Sequence, residues 1–279
     1  MPDKIDALKY SFNASQAGTA TAPQALILAA GRGQRLGDHV EEFPKCLLQV
    51  GGRSLLDHQL SMLAAAGIHD VCVVAGYHRN VVARACSGRA HVINNLDWAR
   101  TNSLYSFWLA RHWIKRSVVV MNCDVLADPN VLSQLLQIKS SSFAFDSGSG
   151  ADKEHMKVEL SGGTLKSMSK SLDATQVHGE NVGMLHFSAS DVRKLFSHAE
   201  SILDGGGKNL WMASAVQALA RERALYGVDI SGSAWIEIDY QEDLDAARSN
   251  IWPLIERRRH PRNTRFEMRE SAVDAESNV

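Results

Sequence analysis

The chemistry open to this sequence centres on two cations and three carboxylates. Arg35 and Lys45 belong to one stretch, LILAAGRGQRLGDHVEEFPKCLLQVGG (residues 26–52), in which an apolar strand-like run stops at Ala29-Ala30-Gly31 and gives way to small residues. The backbone N–H groups of Ala29, Ala30, Gly31 and Gly33, freed where such a strand ends, form a nest that suits phosphate oxygens. Arg35 has the forked geometry to clamp phosphate oxygens, and Lys45 supplies a compact charge beside them. Better-known phosphate loops do not fit: Leu36 stands where a dinucleotide fingerprint needs its third glycine, and no GK[ST] closes the stretch.

The carboxylates come later in the chain. Asp124 follows the run SVVVM in Asn122-Cys123-Asp124, and a carboxylate at the carboxyl end of a parallel strand faces the crevice where such sheets bind ligands. In WIEIDYQEDLDAA, alternation along a strand puts Glu237 and Asp239 on one face. Carboxylates brought near a triphosphate need a cation between them, and an all-oxygen set suits Mg2+, so Asp124, Glu237 and Asp239 are the expected metal ligands. Asp239 alone is equally explained as the cap of a helix starting near Glu242, and Glu237 by a salt bridge on a sheet face. The pairing of Asp239 with Asp124 favours the metal.

The elements that must position these groups alternate. QALILAA, DVCVVAG and SVVVMNCD are short apolar runs, separated by helical patterns in SLLDHQLSMLAAAG and PNVLSQLLQI. Leu56, Leu60 and Leu63 share a helix face, Ser54 and Asp57 form a capping box, and Gly67 is a stop signal. Fully apolar strands between helices predict a mainly parallel sheet covered on both faces. After about residue 140 the pattern changes to the strands MKVEL, TLKSMS and VGMLHF, with Gly162-Gly163 as a hairpin turn. Helical patterns from Ser190 and Leu210, a strand in AWIEID and a helix from Glu242 follow. The expected organisation is a tail over residues 1–23, one domain over 24–256 (a nucleotide half to 140, an acceptor half from 141) and a second tail over 257–279.

Composition excludes several alternatives. The 279 residues carry 30 Lys+Arg against 31 Asp+Glu, a net charge of −1, so the cationic excess expected of nucleic-acid or anionic-membrane binders is missing. No stretch approaches the roughly 20 apolar residues of a membrane span, and the N-terminus lacks a signal-peptide pattern, so a cytoplasmic protein without membrane insertion is expected. The four cysteines form no CxxC pair and read as buried free thiols. The Arg257-Arg258-Arg259 run reads as the solvated end of a last helix.

The order of Gly31, Gly33, Arg35, Pro44, Lys45, Leu47 and Gly51 matches LAAGxGxRx…PKxLxxVxG, and here the chain resembles the nucleotidyltransferases that activate phosphorylated sugars and alcohols with nucleoside triphosphates. TNSLYSFWLARHW and GVDISGSAWIEIDYQEDLDAA are similar to the TNNxYSLxLA and WIEIDxxEDL segments of bacterial cytidylyltransferases acting on phosphocholine and 2-aminoethylphosphonate. The resemblance covers roughly residues 24–255. It implies a glycosyltransferase-A-like (Rossmann-like) α/β fold with a mixed, mainly parallel sheet. It also implies Mg2+-dependent transfer of CMP from CTP to a small phosphonate or phospho-alcohol/amine, with release of pyrophosphate.

Carried over by position, Asn102 and Ser106 would contact cytosine, while Ser103 replaces the family's second Asn. A helix capped by Asn102 or Ser103, with Leu104, Phe107 and Trp108 as core, is a compatible structural explanation. Lys157 begins a strand where relatives keep a basic residue for the acceptor phosphate, and Glu180 in GENVGM matches a GExxG loop beside the acceptor pocket. The family's YWED-like helix start is Leu210-Trp211-Met212-Ala213-Ser214 here, without its acids. Either Asp146 or Glu180 substitutes opposite a cationic head, with Trp211 as a cation–π face, or the acceptor carries no cation. A homodimer is one assembly open to the chain. The rival functions are a sugar- or polyol-phosphate nucleotidyltransferase and a noncatalytic nucleotide sensor, whose expected mark is loss of Arg35, Lys45, Asp124 or Asp239.

Overall fold

The strand β1 (Gln24–Ala29) is buried along its whole length because alternate side chains serve two different cores. Ala25, Ile27 and Ala29 join one cluster, and Leu26 and Leu28 the other. A computed structural model describes residues 22–33, 35–36, 43–149 and 154–259. The expected tails lie outside these residues except at 22–23 and 257–259, as do positions 34 and 37–42 of the glycine-rich stretch.

Beyond β1, a hairpin of β2 (Gln49–Val50) and β3 (Arg53–Ser54) leads into α1 (Leu55–Ala65). Ser54 and Asp57 form the capping box there, and Gly67, at φ +76°, follows the last turn. Then come β4 (Val71–Ala75), α2 (Arg79–Ala85), β5 (His91–Asn94), α3 (Ser103–Leu109), β6 (Val118–Asn122), β7 (Val125–Ala127) and α4 (Pro129–Gln137). The second half holds β8 (Ser142–Asp146), β9 (Lys157–Ser161), β10 (Thr164–Ser169), β11 (Gly179–Phe187), α5 (Ala189–Asp204), α6 (Ala213–Ala220) and β12 (Tyr226–Asp229). β13 (Trp235–Glu237), α7 (Gln241–Ala246), a π-helical turn and α8 (Trp252–Arg259) complete it.

The main sheet runs β5-β4-β1-β6-β11-β8-β12-β10-β9. Its first half is parallel: β1 pairs with β4 and β6, and β4 with β5. Beyond β6 the expectation of a mainly parallel sheet needs correcting, because β11 runs antiparallel to both β6 and β8, as do β10 to β12 and β9 to β10. The Gly162-Gly163 turn, both residues at positive φ, forces the last of these pairings. Leu56, Leu60 and Leu63 of α1 and Val131, Leu132 and Leu135 of α4 pack on one face; Leu104 and Phe107 of α3, Val192 and Leu195 of α5 and Val216 of α6 pack on the other. Among the described residues no helix is long and apolar enough to cross a membrane.

The last helices close a third, smaller core with Leu48, Val50 and Leu126. Trp252 lies against Gly51, where a Cβ would come within 2.3 Å of its ring, so this turn tolerates only glycine. Arg258, half exposed near the end of the last helix, also donates to the 2% exposed Asp128 at 3.0 Å and ties α8 to the start of α4.

Candidate active site

Three chain segments meet at the carboxyl ends of β1 and β6. The chain leaves β1 through Ala30 and Gly31 into Gly33, whose φ is +70° and whose missing Cβ leaves room for the stem of Lys45, 3.2 Å away. Lys45 opens a 3-10 turn (Lys45–Leu47) after Pro44. Asp124 sits between β6 and β7. Because β7 pairs with β13, with Val125 opposite Glu237, and Ile238 N–H donates to the Asp124 carbonyl at 3.0 Å, Asp239 is delivered beside Asp124.

The Lys45 ammonium lies between the two carboxylates, 2.7 Å from Asp124 Oδ2 and 2.5 Å from Asp239 Oδ1. Burial alone would lower its pKa, but Asp124 and Asp239 outweigh burial and raise it. Burial likewise opposes ionisation of Asp239, and Lys45 and Arg35 overcome it, holding that carboxyl below its ordinary value. For Glu237 burial, with repulsion from Asp124 and Asp239, outweighs the attraction of Lys45 and pushes it up to about 8. Asp239 does not cap the following helix. Asp243 does so, accepting from the N–H groups of Asp239 and Tyr240 at 2.8 and 2.7 Å.

Arg35 reaches the same carboxylate at 3.6 Å, pairs with Glu154 at 3.0 Å and stands over the Tyr240 ring. Together with Arg32, Gly33, Trp98, Ala99 and Asp239 it lines a cavity of about 360 Å3. Arg32 and Trp98 were not singled out from the sequence. The signal for Trp98 is Gly76, since a Cβ there would come 2.5 Å from Trp98 Cβ and 2.6 Å from the Ala30 carbonyl. Ala29 and Ala30 are buried, and the Ala30 carbonyl accepts from Tyr77 N–H at 3.0 Å, so their side chains serve packing and only backbone borders the loop.

A second cavity, about 320 Å3, also touches Arg35 and Asp239 and extends past Asn102, Asp124, Asn181 and Trp211 to α6. Asn102 caps α3, accepting from Ser103 N–H at 2.8 Å. Ser103 accepts from Met212 N–H at 2.9 Å, so the residue that differs from the family segment joins α3 to the chain before α6. Ser106 needs correcting as an open base contact: it is 3% exposed and its hydroxyl accepts from the buried Asn95 amide at 3.1 Å. Lys157 does not face this cavity either. It is 7% exposed and donates to the Lys170 carbonyl at 3.0 Å. Besides Arg35, the cavity is lined by the cation Lys170, missed in the sequence, with its ammonium 5.1 Å from the Trp211 ring and 3.5 Å from Glu154.

The two carboxylates proposed to face a cationic head lie elsewhere. Asp146 and Glu180 are paired across β8 and β11 and line a third cavity of about 560 Å3 with Trp235 and Tyr240, which meets the Trp211 cavity at Glu154, Glu237 and Asp239. Asp146 accepts from Trp235 Nε1 at 2.8 Å and from Gly148 N–H at 2.8 Å; Glu180 accepts from the Ser149 hydroxyl and lies 2.9 Å from His155 Nδ1. Neither lines the Trp211 cavity, where the carboxylates are Glu154, Asp124, Glu237 and Asp239.

An oxygen-only set bordering a phosphate loop fits Mg2+, which commonly takes one or two protein carboxylates and fills its shell with water and phosphate. The buried Asp124 Oδ1, without a hydrogen-bond partner, is an oxygen held ready for such an ion. Among the described residues no three His, Cys, Asp or Glu side chains are grouped to hold a metal by themselves, consistent with Lys45 lying between Asp124 and Asp239.

A family model described as MobA-like NTP transferase domain matches residues 25–158. Over 117 residues the chain is 38% identical to a CMP-5'-(3-aminopropyl)phosphonate synthase from Streptomyces rubellomurinus, a match covering 40% of this chain but only 19% of that protein. A CTP:phosphoglutamine cytidylyltransferase from Campylobacter jejuni is 24% identical over 247 residues, covering 79% of this chain and 97% of the relative. The solved CTP:phosphocholine cytidylyltransferase from Streptococcus pneumoniae superposes with a TM-score of 0.69 at 21% identity, over 81% of this chain and 97% of that one, which establishes a shared fold. The matched segment thus includes Arg35, Lys45 and Asp124, whereas Lys170, Trp211 and Asp239 come from the chain beyond it. The matched model describes an NTP transferase, and two of the proteins named here are cytidylyltransferases.

Proposed function

We propose that the protein is a Mg2+-dependent cytidylyltransferase that transfers CMP from CTP to a small phosphonate or phospho-alcohol/amine and releases pyrophosphate. The observation that carries this reading is that two cavities meet at one charged cluster, with Arg35 and Asp239 lining both. Such an arrangement suits two phosphate-bearing substrates whose reacting atoms must be brought together. The relatives named for CMP transfer support cytidine as the nucleoside.

In this reading the nucleotide lies along the glycine loop, with its outer phosphates on Arg35 and its reacting phosphate near Lys45. Lys170 holds the acceptor phosphate or phosphonate, and Trp211 borders the rest of the acceptor. An acceptor oxygen attacks the α-phosphorus of CTP in line, forming the new P–O bond as the bond to the β-phosphate oxygen breaks, and pyrophosphate carries the electron pair away. The attacking oxygen is already an anion, so no general base is required, and the residues act by positioning and by neutralising charge. Asp124 and Asp239 would hold Mg2+, with Glu237 as a further ligand once ionised. The bound ion would polarise the phosphate oxygens and neutralise charge that develops on them.

Pyrophosphate release across CTP, UTP, GTP and ATP, each with phosphonate, phosphoamine and sugar-phosphate acceptors, tests this reading. Preference for CTP with a phosphonate or phosphoamine supports it; preference for UTP or GTP with a sugar phosphate selects the rival.

A further inference from the structure

The three cations beside the reaction site are unequally placed. Arg35 and Lys170 reach solvent, at 47% and 28% side-chain exposure, whereas Lys45 stands at 8%. Its stem occupies the space Gly33 leaves, and its ammonium touches one oxygen each of Asp124 and Asp239. The second Asp124 oxygen is buried without a hydrogen-bond partner. Glu237 borders the same cavity as both aspartates. Carboxylates gathered this closely repel one another unless a cation lies among them, and here the cation belongs to the chain itself.

A divalent ion placed on the same two oxygens would be pressed against the Lys45 ammonium in a poorly solvated site, where like charges repel strongly. The ammonium can leave only if another anion receives it, because a buried charge stripped of its partners is costly. A nucleotide phosphate arriving on the loop that carries Gly33 is such an anion, and a lysine stem is flexible enough to follow it. We infer that Lys45 is the resident cation of this site: in the nucleotide-free protein it fills the place between Asp124 and Asp239 and excludes a divalent ion, and it yields that place when a nucleotide's phosphates draw the ammonium away. The inference rests on the nucleotidyl-transfer reading for its trigger alone.

Binding of Mn2+ to the full chain, followed by the spin resonance of the free ion with no nucleotide or acceptor present, tests it. Lys45→Met should bind Mn2+ at least tenfold more tightly than wild type, and adding Asp124→Asn should abolish the gain. Wild type that binds Mn2+ without nucleotide as tightly as Lys45→Met overturns the inference. Should Lys45→Met fail to fold, thermal unfolding of the wild type decides: no shift with Mn2+ alone supports the inference, and a saturable shift that Asp124→Asn removes overturns it. Relaxation enhancement separates protein-bound from nucleotide-bound ion, and in wild type it should appear when CTP is added. If none of the four nucleotides brings it about, the trigger is wrong. No turnover is read, so an incorrect choice of acceptor or base leaves these outcomes unchanged.

Discussion

The cavity beside the glycine loop and the cavity against α6 share Arg35 and Asp239 but are built differently. The first takes Arg32, Gly33 and Arg35 from where the chain leaves β1, a few residues apart in sequence, and is closed by Trp98, Ala99 and Asp239. The second takes Asn102 from the cap of α3, Asn181 from β11, Lys170 from the chain after β10 and Trp211 from the approach to α6. Site residues that share one stretch of chain are constrained in type at fixed spacing. A site assembled from four distant elements constrains only where side chains end up, so it can change its acids and cations while keeping its shape.

Substitutions that act on one cavity and spare the other test this division. The largest effect should come from the junction: Asp124→Asn should lower kcat by roughly a hundredfold to a thousandfold, the scale on which one preorganised electrostatic contact acts on a transition state. Near-normal turnover by folded Asp124→Asn would remove the junction from the chemistry. Next, Lys170→Met should raise the acceptor KM by about tenfold to a hundredfold, as expected for a lost charge-assisted hydrogen bond, with the CTP KM little changed. Lys157→Met should instead lower Tm and leave the acceptor KM alone, because that ammonium is held on the Lys170 carbonyl. The reverse pattern would return the acceptor phosphate to Lys157.

A pH effect sharpens the contrast further. Glu237 is raised from 4.5 to about 8, so the stability its protonated form contributes is complete below the ordinary carboxyl range and is lost as pH rises towards 8. Glu237→Gln and wild type, both metal-free, should therefore unfold at similar temperatures near pH 5, while near pH 8 the variant should be more stable by at least about 3 °C. Equal Tm values at both pH values would show that Glu237 is not held protonated. The smallest effect belongs to the rim. Glu154 pairs with both Arg35 and Lys170 at an exposed position, so Glu154→Gln should tighten CTP binding at most about fivefold, in keeping with the modest strength of surface ion pairs. Weaker binding, measured by calorimetry, would mean that Glu154 helps the nucleotide rather than competing with it.

The same division governs what could be read from the amino acids. The capping box at Ser54, the stop at Gly67, the apolar strands and the loop through Gly33 to Lys45 are local, and each follows from residue type and spacing. The meeting of Asp124 with Asp239 depends on the pairing of β7 with β13, but the carboxylates themselves were legible at strand ends. The direction of β11 was not, since an apolar strand buried on both faces fits a parallel or an antiparallel neighbour equally well. Lys157 and Lys170 differ only in which side of one strand pair they end on, and a β-bulge between Leu165 and Ser167 shifts that register. Ser106 kept the residue type of the family segment while its hydroxyl went to Asn95, a partner that no motif announced.

The most direct test of the central claim is pyrophosphate release from CTP by the full chain, measured with 2-aminoethylphosphonate, phosphocholine and their hydroxyl counterparts, with Mg2+ and with chelator. The account predicts Mg2+-dependent release with CTP favoured over UTP, GTP and ATP, and loss of that release in Asp124→Asn. Release that persists in chelator, or a chain that turns over only sugar phosphates with another nucleotide, would contradict it.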